Sequence, residues 1–149
     1  MLTVGNLIYF TPFYFKNGQK PKPKYFIVLY NNKNTTILGS LPTRVDNVPR
    51  AANKIFGCIN LPEDCFNCFF IPSTIEFTAC GFKFPQTTYI YAEQMYEENI
   101  KTLESNHKTN GVDYQIIGKV KKEIFNDIIK CFKISNVGKR GYKKLLQQI

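Results

Sequence analysis

The stretch that decides the fold is Tyr25-Phe26-Ile27-Val28-Leu29-Tyr30, then Asn31-Asn32-Lys33-Asn34, then Thr35-Thr36-Ile37-Leu38-Gly39-Ser40-Leu41. Six consecutive apolar and aromatic residues, rich in β-favouring types, make a core strand. The four polar residues that follow are turn formers, and the chain then returns in a second apolar, β-branched run. Two strands across so short a connection pair antiparallel, with partner numbers summing to about 65. Upstream, Leu7-Ile8-Tyr9-Phe10 reads as a first strand between Gly5-Asn6 and Thr11-Pro12. Between them lies Lys16-Asn17-Gly18-Gln19-Lys20-Pro21-Lys22-Pro23-Lys24. Its prolines favour extended backbone, so the lysines sit on a semi-rigid arm.

Downstream the pattern is weaker. Pro42, Pro49 and Pro62 interrupt residues 42–68, which read as irregular. Phe69-Phe70-Ile71, Thr74-Ile75-Glu76-Phe77, Thr87-Thr88-Tyr89-Ile90-Tyr91 and Val112-Asp113-Tyr114-Gln115-Ile116-Ile117 are strand candidates. Glu93 to Ser105 carries helical spacing through Met95, Ile100 and Leu103. The clearest helix spans Lys119 to Ile134, with Val120, Ile124, Ile128 and Phe132 at i+4 intervals. A basic tail occupies about 136–149. The chain therefore reads as one mainly β domain over 1–149, an α+β fold. Its expected form is a small antiparallel barrel with a C-terminal amphipathic helix over it.

The 149 residues carry 20 Lys and Arg against 11 Asp and Glu, a net charge of +9. Residues 1–50 hold seven basic groups against one acidic, and residues 111–149 nine against three. The middle is net acidic. Two basic segments favour a polyanion or an acidic protein as partner. The single histidine, His107, lies in a polar stretch read as an exposed loop. Paired-histidine acid–base chemistry and His-rich metal sites are excluded. No apolar run is long enough for a membrane-spanning helix. The amino terminus lacks a signal-peptide pattern, so a cytoplasmic location is expected.

The five cysteines are Cys58, Cys65, Cys68, Cys80 and Cys131. Their odd number and the cytoplasmic expectation point to reduced thiols, with Cys68 buried among Phe66, Phe69 and Phe70. A four-thiolate zinc site from Cys58, Cys65, Cys68 and Cys80 is the competing reading, and would make the chain a zinc-stabilised adaptor. A metal-free set is the expected one.

Gly5-Asn6-Leu7-Ile8-Tyr9-Phe10, Lys16-Asn17-Gly18-Gln19 and Pro23-Lys24-Tyr25-Phe26-Ile27-Val28-Leu29, in that order, resemble the start of PemK/MazF-like toxins. Ile37-Leu38-Gly39-Ser40-Leu41-Pro42-Thr43-Arg44 is similar to the family's next strand, and Ile117-Gly118-Lys119-Val120 to its closing strand and last helix. The resemblance covers roughly the first 44 residues and 112–134. It implies an SH3-like barrel, commonly a homodimer, acting without cofactor or metal as an endoribonuclease on single-stranded RNA and restrained by an antitoxin protein. The residues it marks as catalytic are Lys24 and Thr43, with Arg44 as a neighbouring cation; Lys20 and Lys22 would guide the RNA. Lys24 stands where the family has Arg, and Tyr25 where it has Pro. Lysine supplies charge without the bidentate fork of arginine. The alternative is a non-catalytic barrel module that binds an antitoxin-like protein or nucleic acid.

Overall fold

The computed structural model describes residues 1–40 and 46–149. These form, in order, strands β1 (Asn6–Phe13), β2 (Lys22–Asn31), β3 (Thr35–Ser40), β4 (Gly57–Leu61), β5 (Phe66–Ile71), β6 (Thr88–Tyr91) and β7 (Met95–Asn99). Helix α1 (Ile100–Asn106), strand β8 (Tyr114–Lys119) and helices α2 (Lys122–Ile134) and α3 (Arg140–Leu146) follow. The strands make two antiparallel sheets, one of order β7-β3-β2-β1-β8 and one of order β4-β5-β6. The fold is thus mainly β, with helices. The expected closed barrel is corrected: among the described residues both sheets are open. Helix α2 packs on β4 and β5 of the small sheet, and its Ile124, Ile128, Ile129 and Phe132 share one core with Leu7, Ile27 and Leu29 of the large sheet and Phe69, Ile71 and Ile90 of the small one.

The unbroken apolar run in β2 has a simple cause: the large sheet is buried on both faces. Ile27 and Leu29 face the shared core. Phe26 and Val28, with Ile8, Phe10, Phe13 and Leu38, face a second core closed by Leu103 of α1. The β2–β3 register runs Phe26↔Ser40, Ile27↔Gly39 and Val28↔Leu38, one residue from the expected sum, and shifts between Val28 and Tyr30. A third core, of Val48, Ile59, Cys68, Phe70, Tyr89 and Tyr91, includes residues of all three small-sheet strands and Val48 of segment 46–56.

Several sequence expectations change. β1 continues past Thr11-Pro12 to Phe13, with a register shift between Phe10 and Phe13. The stretch read as irregular contains β4, held by pairing with β5 (Cys58↔Phe69, Ile59↔Cys68) rather than by its own hydrophobic pattern. Thr74–Phe77 forms no strand; Phe77 bonds locally instead, its N–H donating to the Phe82 carbonyl at 2.7 Å. Residues 93–105 divide. Met95–Asn99 pairs with β3, and Asn99 then caps α1 by accepting from the Thr102 N–H at 3.0 Å. Helix α2 begins three residues later than expected, because Lys119 belongs to β8 and Val120 donates its N–H to the Gly5 carbonyl at 2.9 Å. Gly118 is required by close approach: a Cβ there would stand 2.8 Å from Cys80 Sγ. The basic tail holds α3, whose Leu146 is fully buried.

His107 departs furthest from its expected place. It follows α1 and is 2% exposed. Its ring stacks on Phe13 at 5.3 Å and meets Phe10 edge-on at 4.8 Å. Nδ1–H donates to the Leu103 carbonyl at 2.9 Å, and Nε2 accepts from the Tyr14 N–H at 3.4 Å. An imidazole with both nitrogens satisfied is a structural core residue, which the polar sequence around it conceals.

Candidate polyanion-binding rim

The lysine arm after β1 runs into β2, so its last lysines stand on a strand. Lys22 lies opposite Phe13 and Lys24 opposite Phe10. Lys20 and Lys22 are exposed, whereas Lys24 is half-buried at the edge of the Phe10 and Phe26 face. Burial holds the Lys24 ammonium below the ordinary lysine range, and the charge of Lys22 pushes the same way. A lysine so placed gives up its proton more readily than a solvated one.

Other groups converge here that the sequence reading did not single out. Lys22 Nζ lies 5.9 Å over the Phe15 ring, and Lys16 Nζ 5.0 Å over the Tyr96 ring. The Lys16 N–H also donates to the Tyr96 hydroxyl at 2.9 Å. On the opposite face of the sheet Tyr9 packs on Tyr25 with ring centroids 4.5 Å apart, and Phe82 stands 6.1 Å from Tyr25. Tyr9, Tyr25 and Phe82 are all half-buried. The Tyr9↔Tyr25 pairing was within reach of the sequence once β1 was set against β2; the approach of Phe82, 57 positions further on, was not.

Thr43 and Arg44 lie outside the described residues. The last described pair, Phe26↔Ser40, places the end of β3 two positions from Lys24 on the β2 side. Asp46, the one acidic group of the first fifty residues, ion-pairs with Lys54 and accepts from the Val48 N–H at 3.0 Å, so it is engaged in its own segment.

The cysteine reading is corrected. Cys58 of β4 and Cys131 of α2 form a disulfide, so the five thiols are not all free. The pair was hidden because 73 residues separate its members and only the packing of α2 on β4 brings them together. Cys58 is thereby taken from the four-thiolate set. Among the described residues no three His, Cys, Asp or Glu side chains group closely enough to hold a metal ion. Cys65 and Cys80 are exposed thiols; Cys68 is buried as expected, and burial pushes its thiol up to about 12.

Comparison with the models of known protein families finds no match, and comparison with curated proteins finds none. No helix among the described residues is long and apolar enough to cross a membrane.

Proposed function

We propose that this chain is a PemK/MazF-like endoribonuclease that binds single-stranded RNA along the β1–β2 rim, and that its two sheets are an opened variant of the SH3-like barrel. The observation that carries the reading is Lys24, a half-buried ammonium with a lowered pKa beside the exposed Lys20 and Lys22. In this reading Lys20 and Lys22 attract the backbone and Lys24 acts at the scissile phosphate. The 2′-hydroxyl passes its proton to solvent water as its oxygen bonds to phosphorus. The bond to the 5′-oxygen breaks, and Lys24 donates a proton to that oxygen or offsets the equatorial charge. Thr43 hydrogen-bonds the phosphate and Arg44 adds a second cation. An antitoxin protein covers the rim in the restrained state, and the active form is a cytoplasmic homodimer.

The second reading is a non-catalytic module for nucleic acid or an antitoxin-like protein. What favours it is the interleaving of Lys16 and Lys22 with Tyr96 and Phe15, a surface suited to binding rather than bond breaking. One experiment separates the two. Purified protein and its Lys24→Ala variant are incubated with single-stranded RNA at low salt, with cleavage ends mapped and binding measured in parallel. Cleavage by the wild type, lost in the variant with binding largely kept, supports catalysis. RNA binding without cleavage leaves the module; no binding at low salt sinks both RNA readings.

A further inference from the structure

We infer that Cys58 and Cys131 form a reversible redox site, reduced by low-molecular-weight thiols, that sets how firmly β4 and the segment before it are held. The inference does not depend on the ribonuclease reading. Its first support is access. Cys58 is exposed and lines an open hollow of about 420 Å3 with Ala52, Ile55 and Phe56. Cys131 is 1% exposed, so an incoming thiolate reaches the bond from the Cys58 side.

The second support is the surroundings of Cys131. Its Sγ lies 3.5 Å from the Cys68 carbonyl oxygen and 3.7 Å from Asn67 Oδ1. In the disulfide this sulfur has no hydrogen, and both oxygens face it without a donor from it. After reduction the thiol donates to one of them within ordinary sulfur hydrogen-bond range. Asn67 is itself fixed, donating through Nδ2 to the Cys131 carbonyl and to Asn60 Oδ1, both at 3.0 Å. The buried half of the pair is therefore housed in either oxidation state, and reduction leaves no orphaned sulfur in the core.

The third support is what the bond ties down. Among the described residues β4 is an edge strand paired only with β5, and it follows segment 46–56, where Ile55 and Phe56 are exposed. The disulfide is its covalent link to α2. In the reaction, a thiolate attacks Cys58 Sγ and the S–S bond breaks. The electron pair goes to Cys131 Sγ, which takes up a proton. A second thiol resolves the mixed disulfide and restores the Cys58 thiol. Two thiols become one disulfide as the protein disulfide becomes two thiols, a two-electron exchange.

The test equilibrates wild-type protein in glutathione buffers from fully oxidised to fully reduced. Free thiols are counted by alkylation and intact mass, the fold is followed by circular dichroism, and amide exchange is read peptide by peptide. Intact mass after a denaturing quench, with each glutathione adduct counted as one thiol, should give three cysteines outside the protein disulfide in oxidised buffer and five in reduced buffer, with the fold retained. Exchange at residues 57–61 should rise about tenfold on reduction, while β1 and β2 stay unchanged. Cys58→Ser should fold and exchange like the reduced wild type. Five thiols in oxidised buffer would overturn the proposal, as would three in fully reduced buffer. Global unfolding on reduction, unchanged exchange at 57–61, or a Cys58→Ser variant that does not fold would do the same.

Discussion

The large sheet meets apolar side chains on both faces, and its three central strands follow one another closely in the chain. The small sheet draws on α2 across one face, on Val48 and its segment across the other, and on a disulfide spanning 73 residues. The first is built from neighbours in sequence, the second from partners that arrive late. The contrast shows where local pattern suffices: a strand buried on both faces advertises itself by composition, whereas an edge strand such as β4, with Ile59 its one buried residue, does not.

The largest effect should come from Phe10→Ala. Phe10 is fully buried against Phe13, Phe26 and His107, so its truncation should cost about 3–5 kcal/mol in denaturant unfolding. If the large sheet is the more self-sufficient one, hydrogen exchange should rise across it first. Ile128→Ala comes next, at about 2–5 kcal/mol, since Ile128 is fully buried in the core shared by both sheets. Exchange should then rise in both; a rise confined to one would break the view that α2 joins them.

Acidification sharpens the comparison more gently. Burial holds His107 below its ordinary value, against smaller opposing pulls from the Leu103 carbonyl, Asp113 and the Pro12 carbonyl. The unfolded chain therefore binds the extra proton first. The His107 contribution is full above pH ~6.5 and is lost as pH falls from there through the folded-state value. Thermal unfolding should show the midpoint dropping over that interval, a slope that His107→Gln flattens. Burial raises Glu98, which acts in the opposite sense at lower pH, so the difference between wild type and variant is the quantity to compare. The smallest effect on stability belongs to Lys24→Ala. Unfolding should change little, while the slope of log affinity for single-stranded RNA against log salt should fall by about one. An unchanged slope would remove Lys24 from the RNA contact.

Much of the large sheet was legible because continuous apolar runs and a short polar turn constrain it locally; the β2–β3 register came within one residue. The Glu93–Ser105 stretch misled because Met95, Ile100 and Leu103 share helical spacing, yet Met95 is claimed by pairing with Gly39 and Leu103 by the second core. Strand pairing overrides propensity where a neighbouring edge is waiting. At the candidate rim the run of lysines was plain, but the desolvation of Lys24 was not, since it depends on what β1 lays beside it.

The sequence by itself determined an antiparallel meander in about the first forty residues, an amphipathic helix ending at Ile134, and a strongly basic amino-terminal arm. These follow from continuous apolar runs and turn residues, from helical spacing and from charge, which are properties of consecutive residues. Only the tertiary structure decided that the strands divide into two open sheets among the described residues, that His107 is a satisfied core imidazole, and that Cys58 meets Cys131. Each of these depends on groups distant in the chain being brought within a few ångströms, and the free energy for that comes from burying the whole core rather than from any local stretch.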